Sequence, residues 1–235
     1  MRPVSRRGGG GFGGFPGLES MAARLALAMV AGSVLVLATK TSLLMLVPEE
    51  VLDLQLWRLV TYAFIERDPL GIIFGAIILW SIGGWLEGVW GPRRLLLVGV
   101  GGTVLAGALT VAASFVFPIG FFPFAGGTVM GTILWVAYGL TIGRGQTNFW
   151  GIGLSGNVLA LIGAGFVVLR ALQVGVGAQL PDLFGLLVAV GYVKGGSPRG
   201  LWLHLHHWRL QRQLRNRSRN LRAVSSEPPN DRFLN

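Results

Sequence analysis

The feature that most constrains the fold of this chain is the stretch over residues 69 to 193, because these 125 consecutive residues carry only six charged side chains. The six are Glu87, Arg93, Arg94, Arg144, Arg170 and Asp182, and the remaining 110 residues hold the other 24 charges. A water-exposed surface cannot be built from so few polar groups, so a soluble globular protein is excluded and an integral membrane protein is indicated. Since the chain has no cysteine, disulfides, thiolate metal sites and a cysteine nucleophile are excluded as well.

Apolar runs divide the chain into six candidate spans of an all-α, polytopic membrane protein. They are Met21 to Thr39, Leu70 to Gly88, Leu95 to Phe117, Phe122 to Ile142, Ile152 to Leu172 and Leu180 to Val193. Between the first two, residues 41–64 mix apolar and charged side chains, which predicts an amphipathic segment at the membrane interface. The predicted organisation is a Gly- and Arg-rich tail over 1–20, a membrane domain over 21–194 and a basic tail over 195–235.

The distribution of basic residues predicts the orientation of the spans. The net charge of +10 divides into +3 in residues 1–24, zero in 25–193 and +7 in 194–235. With both termini inside, the inner segments hold 16 of the 20 Lys and Arg residues. Inner loops of membrane proteins are enriched in Lys and Arg, so both termini are predicted to be cytoplasmic, in the plasma membrane.

The basic tail after the last span is predicted to lie on the membrane surface. Trp202 and Trp208 accompany a run of arginines, which is typical of an amphipathic helix on an anionic leaflet. The run contains Arg209, Arg212, Arg215, Arg217 and Arg219. The three histidines nearby have a spacing that does not favour a metal site, so neither a metal, a cofactor nor a nucleic-acid partner is expected.

Glycine predicts where helices approach one another closely. The chain has 37 glycines, and small residues four apart occur at Gly71/Gly75, Gly84/Gly88, Gly127/Gly131 and Gly185/Ala189. Such pairs let helix backbones pack together in membranes, and together they predict a compact bundle.

Two short motifs in the expected order resemble the rhomboid superfamily. Trp57-Arg58 precedes the second span, and Glu87, Gly91 and Arg93 lie at the end of that span. The resemblance covers residues 20–194 and implies a six-helix rhomboid-like transmembrane bundle. In that fold we expect Trp57 to anchor an external loop and Arg58 to reach phosphates or helix-end carbonyls. Glu87 is expected to pair with Arg93 or Arg94.

The resemblance also identifies where a protease site would lie. Active rhomboids carry a His and an Asn on span two, a Gly-x-Ser-Gly serine on span four and a His on span six. Those positions fall here on Gly71, Gly75, Gly126 and Asp182, whereas Gly127, Gly131 and Gly185 match the family's glycines. Without a serine and the imidazole that activates it, acyl transfer has no nucleophile. The resemblance therefore implies a derlin-like pseudoprotease that binds transmembrane segments of client proteins, in quality control or trafficking.

Two alternatives remain open from the sequence. Gly153-Leu154-Ser155-Gly156 is a literal Gly-x-Ser-Gly, so an active intramembrane serine endopeptidase with an atypical site at Ser155 is one alternative. A small-solute transporter is the other, although only Asp182 offers an ionisable candidate in the later spans.

Overall fold

The computed structural model describes residues 17–149 and 151–195, and this part of the chain is predominantly helical. Its compact unit ends at Lys194. Most of the predicted N-terminal tail lies outside the described residues. So does the predicted surface helix, with Arg209, Arg212, Arg215, Arg217 and Arg219.

The described helices follow one another with one β-hairpin among them. They are α1 (Met21–Thr39), α2 (Pro48–Leu52), α3 (Arg58–Thr61), α4 (Pro69–Trp90), α5 (Pro92–Leu96), α6 (Gly102–Ala113), α7 (Gly127–Ile142), α8 (Gly156–Val174) and α9 (Leu180–Lys194). A π-helical turn, Leu97–Gly101, joins α5 to α6, so that residues 92–113 form one continuous helix. The hairpin strands are β1 (Gln146–Phe149) and β2 (Ile152–Ser155), paired antiparallel with Gln146 opposite Ser155.

Four helices in the described ranges are long and apolar enough to cross a membrane: α1, α4, the helix over residues 92–113, and α8. α7 has 16 residues and α9 has 15, fewer than the roughly 20 that span a hydrocarbon core without local thinning. The first predicted span has the same bounds as α1. The fifth does not, because residues 152–155 form strand β2 and α8 begins only at Gly156.

α7 is the central helix and packs against α4, α6, α8 and α9, while α1 packs against the outer side of α4. One apolar cluster joins α1, α4 and α7 through Met29, Leu79 and Leu134. A second joins α6, α7 and α9 through Ala106, Ile133 and Ala189. Both clusters are buried, so every described long helix has a packed face.

The ends of α4 are defined by local chemistry. Asp68 caps its first turn by accepting a hydrogen bond from Gly71 N–H at 2.9 Å, and Pro69 occupies the first helical position, where no N–H is needed. Gly91 ends the helix with a φ of 82°, a conformation that L side chains rarely adopt. Pro92 then begins α5, which explains the sharp turn between the two helices.

Two connections form a layer over one end of the bundle. The segment 40–68 contains only short helical turns, in agreement with the prediction that it does not span. It is joined to the connection 114–126 by backbone hydrogen bonds in both directions between Leu46 and Phe124. Tyr62 projects from this layer into the bundle, where its hydroxyl donates to the carbonyl oxygen of Thr103 in α6.

Candidate functional site

A cavity of about 500 Å3 lies between α4, α7 and α8 and reaches the start of α9. Five glycines supply much of its wall: Gly71, Gly75, Gly127, Gly131 and Gly163. Gly131 has nothing within 4 Å of the position that a Cβ would take, so it borders open space. Phe74, Trp135 and Phe166 supply large apolar surfaces around these glycines. The cavity is therefore smooth, mostly apolar and wide enough for another side chain or helix surface.

Polar groups lie at the end of the cavity beneath the 40–68 layer. They are Thr128, Thr132, Arg170, Gln179 and Asp182. Asp182 is buried in the first turn of α9 and accepts a long hydrogen bond of 3.4 Å from the Thr132 hydroxyl. Arg170 is exposed and within electrostatic reach of Asp182 without forming a salt bridge to it.

Glu66 is a second buried acid at this end. Only 5% of the residue is exposed. Its Oε1 atom accepts hydrogen bonds from the N–H groups of Arg67 at 2.9 Å and Asp68 at 3.3 Å, whereas Oε2 has no partner. Its own N–H donates to Ser33 Oγ of α1 at 2.8 Å, which fixes the backbone.

The glycines of the cavity make room for this carboxylate. A Cβ on Gly71 would lie 3.0 Å from Glu66 Cδ, and one on Gly127 would lie 3.2 Å from Oε2. Both distances are shorter than ordinary contacts, so a side chain at either position would press on the carboxylate. The missing side chains therefore leave the acid next to the cavity.

The structure brings together three of the four positions that the resemblance assigned to catalysis. Gly71, Gly75 and Asp182 line the same cavity. Gly126 is the N-cap of α7 and packs instead on Tyr62, where a Cβ would lie 2.7 Å from ring atoms and 2.9 Å from the carbonyl oxygen. A serine at this position would require Tyr62 to move.

Ser155 lies away from the cavity. It is the N-cap of α8 and accepts a hydrogen bond of 3.4 Å from Val158 N–H. Nineteen residues of α8 separate it from the end near Asp182, roughly 28 Å along the helix axis. Ser155 and Asp182 therefore cannot act on the same bond.

Glu87 has different partners from those expected. Its carboxylate accepts hydrogen bonds from Met21 N–H at 3.0 Å and Ala22 N–H at 2.9 Å, the first two residues of α1. The predicted ion pair with Arg93 or Arg94 is wrong, since in residues 17–149 and 151–195 the salt bridge formed is Arg58 to Glu50. The N-terminus of α1 attracts the carboxylate because its N–H groups are unpaired within the helix and carry partial positive charge.

Arg58 organises the layer over the cavity end. It is 1% exposed and donates from Nη1 to the carbonyl oxygens of Ser42 at 2.6 Å and Met45 at 2.9 Å. Nε donates to Gln55 at 2.8 Å, and Nη2 pairs with the Glu50 carboxylate. The bonded carbonyls belong to the loop before α2, not to helix ends as expected. Trp57 is half exposed next to Arg58, a position suited to the membrane interface.

The glycine pairs serve more than one purpose. Gly185 packs as predicted against α7, with a Cβ position 2.9 Å from Val129 Cγ1. The expected helix packing at Gly127/Gly131 is wrong, because Gly127 faces Glu66 and Gly131 faces the cavity. Two helix backbones also approach closely at Gly139 of α7 and Gly156 of α8, where a Cβ on Gly139 would lie 2.6 Å from the Gly156 carbonyl oxygen.

A family comparison adds an independent observation. The model of the family described as "Eukaryotic integral membrane protein (DUF1751)" matches residues 23–162, which is 140 of the 235 residues. The chain belongs to this family. The matched region of this DUF1751 protein contains Arg58, Glu66 and Glu87, and it ends within α8, before Arg170 and Asp182. No curated protein matches the chain.

Sequence reasoning missed Glu66 and Arg170 as members of the candidate site in this DUF1751 protein. Glu66 stands in the run Glu66-Arg67-Asp68 before Pro69, where three charges in a row are typical of an exposed turn. Nothing in the pattern separates the buried Glu66 from the exposed Asp68. A weak indication of the buried acid was Gly71, a residue without a side chain five positions after Glu66.

Proposed function

We propose that this integral membrane protein is a rhomboid-like protein without protease chemistry, which binds transmembrane segments of other membrane proteins in the cavity between α4 and α8. The observation that carries the proposal is the position of the cavity. It lies where the resemblance locates a protease site, and glycines stand there in place of side chains that donate hydrogen bonds. In the described part of the chain the cavity lining includes no serine, histidine or cysteine.

The lining suits a helix better than a soluble substrate. Gly131 borders open space in the cavity, so another backbone could approach α7 closely there. Close packing of backbones drives helix association in lipid, where burial of apolar surface gives no advantage over contact with lipid tails. Phe74 and Phe166 are at least half exposed, so the apolar wall continues to the surface of the bundle. A segment could then enter from the bilayer without crossing a polar barrier.

The short helices favour the same activity. If α7 and α9 complete a six-span topology, their 16 and 15 residues are shorter than the surrounding hydrocarbon layer. A bundle with short spans thins the bilayer locally, which lowers the cost of holding a client helix with polar residues. With the orientation that the basic residues predict, the acidic end of the cavity faces away from the cytoplasm.

Site-specific photo-cross-linking in the native membrane tests this proposal. A photoreactive residue at Phe74, on the cavity wall, is compared with one at Leu105, a half-exposed residue of α6 outside the cavity lining. We expect Phe74 to capture segments of membrane proteins, mapped by sequencing the cross-linked peptides, and Leu105 to capture lipid. Equal capture of the same polypeptides from both positions would contradict the proposal.

A further inference from the structure

Two acids lie at one end of the cavity, where the lining offers one basic side chain, the exposed Arg170. Glu66 is buried with Oε2 unpartnered, and Asp182 is buried with two hydroxyl partners, Thr132 at 3.4 Å and Thr128. The two carboxylates lie within electrostatic reach of each other. In the described residues the one salt bridge lies elsewhere, at Arg58 and Glu50. The exposed Arg170 offsets the charge of only one of the two acids, and a buried charge without a counter-charge is costly, so this arrangement favours an additional cation.

The carboxylate of Glu66 lies directly behind two glycines of the cavity wall. It sits between Gly71 and Gly127, which both line the cavity, at 3.0 to 3.2 Å from where their Cβ atoms would be. Asp182 lines the cavity directly. A cationic group at the end of the cavity would therefore contact Asp182 of α9 and lie close to the Glu66 carboxylate of the 40–68 layer.

The site fits an organic cation better than a metal ion. Metal sites built from hard oxygen ligands need several of them, and in the described ranges no group of three acidic, histidine or cysteine side chains converges. An ammonium or guanidinium group needs only the two carboxylates and nearby hydroxyls such as Thr132. The apolar walls of the cavity match the methylene stem of such a side chain.

We propose that Glu66 and Asp182 form a binding site for a lysine or arginine side chain carried by a transmembrane segment in the cavity. This inference rests on the proposed function and adds the class of client: helices with a basic residue near the membrane boundary at the 40–68 end. Such a residue is costly in lipid, and pairing with an acid lowers that cost. Exposed Arg170 leaves the site with a net formal charge of −1, so a single added cation neutralises it.

The test uses the full-length protein in phosphatidylcholine vesicles and synthetic Leu/Ala transmembrane peptides. Each peptide has one test residue a turn from both ends, so either orientation presents it; the test residue is Lys, Gln or Glu. Binding is measured by energy transfer from a fluorophore on the peptide to one on the protein. We expect the Lys peptide to bind about tenfold more tightly than the Gln peptide, and the Glu peptide to bind most weakly.

Substitutions locate the preference in the protein. Glu66→Gln and Asp182→Asn keep the shape of each side chain and remove one charge, and each should reduce the preference for Lys to less than about twofold. Asp68→Asn is the matched control, because Asp68 is an exposed acid two residues from Glu66 whose capping bond to Gly71 asparagine can also accept. It should keep the full preference. Thermal unfolding of each variant verifies that it folds.

The outcomes separate this inference from the proposed function. If all three peptides bind equally, or if Glu66→Gln keeps the preference for Lys, the basic-side-chain site is wrong while client binding stands. If no peptide binds, both are wrong. If phosphatidylethanolamine in the vesicles abolishes the preference for Lys, the cation is a lipid headgroup and the inference is overturned.

Discussion

The carboxylate of Glu87, near the end of α4, accepts a hydrogen bond from the backbone N–H of Ala22 at 2.9 Å and so fixes the first turn of α1 against α4. Ser20 accepts from Ala23 N–H at 3.1 Å in the same turn. Together with the bond from Met21, these contacts satisfy three N–H groups that a helix leaves unpaired at its start. Glu87 thus joins α4 to α1 through a contact between two residues that are 65 positions apart in sequence.

Substitutions at Glu87 should destabilise the protein in proportion to the acceptors removed. Glu87→Gln keeps one carbonyl oxygen and should cost about 1 kcal/mol, whereas Glu87→Leu removes both acceptors and should cost about 2 to 3 kcal/mol. The measurement is thermal unfolding in detergent. Arg93→Ala is the control and should cost less than about 0.5 kcal/mol, because Arg93 is not the partner of Glu87. If Arg93→Ala lost as much stability as Glu87→Leu, the result would contradict this account and support an ion pair between Glu87 and Arg93.

Arg58 should be essential for the layer over the cavity end. Arg58→Lys keeps the charge but cannot reach Ser42, Met45, Gln55 and Glu50 together, so we expect a loss of about 2 kcal/mol, and more for Arg58→Met. The half-exposed Glu50 side chain limits the loss, since water solvates a carboxylate left without its partner. Arg67→Lys is the exposed control and should leave the unfolding temperature unchanged. An unaffected Arg58→Lys variant would contradict the structural role.

A serine at Gly126, the position that the resemblance to rhomboids assigns to the nucleophile, should destabilise the protein without creating activity. Gly126→Ser places a Cβ 2.7 Å from the Tyr62 ring, so the variant should lose about 1 to 3 kcal/mol of stability and unfold at a lower temperature. Gly131→Ser, at an open position of the same helix, is the control and should be tolerated. Neither variant should react with a fluorophosphonate probe, because among the described residues no imidazole lines the cavity to activate a serine there. Probe labelling of Gly126→Ser would show a latent protease site.

Ser155 should behave as a helix cap. Ser155→Ala should cost about 0.5 to 1 kcal/mol, since the capping bond is long, and Ser155→Thr should restore most of this loss. The unfolding temperature measures both. Fluorophosphonate labelling of the unmodified protein that disappears in Ser155→Ala would instead support the protease alternative.

The parts of the fold that hydrophobicity controls could be predicted from the sequence. α1 has the predicted bounds, and α9 differs by one residue, because long apolar runs are terminated by polar or turn-forming residues. The hairpin over 146–155 was missed, since Ile152 and Leu154 extend the apolar run of α8 without a break. Helix starts are the weakest point of such predictions, because an apolar loop and an apolar helix have the same hydropathy.

The site could be predicted only where residue type decides the chemistry. The resemblance assigned Gly71 and Gly75 to positions where proteases carry hydrogen-bond donors, and this assignment stays a prediction; the structure places both glycines at the cavity. The partners of Glu87 and Glu66 could not be predicted. Both carboxylates accept hydrogen bonds from backbone N–H groups, which nearly every residue carries and which residue patterns therefore do not reveal. Arg93 was a plausible partner in sequence for Glu87, yet the start of α1 is the nearer source of positive charge.

Filling the cavity is the most direct test of the central claim that it holds a transmembrane segment. Gly131→Leu projects into the cavity from a position with open space, and Gly165→Leu does the same on the exposed face of α8 outside the cavity. The binding isotherm of an apolar transmembrane peptide in phosphatidylcholine vesicles is measured for the unmodified protein and both variants. The account predicts saturable binding that Gly131→Leu weakens at least about tenfold and Gly165→Leu leaves unchanged. Equal binding by Gly131→Leu and the unmodified protein would contradict it.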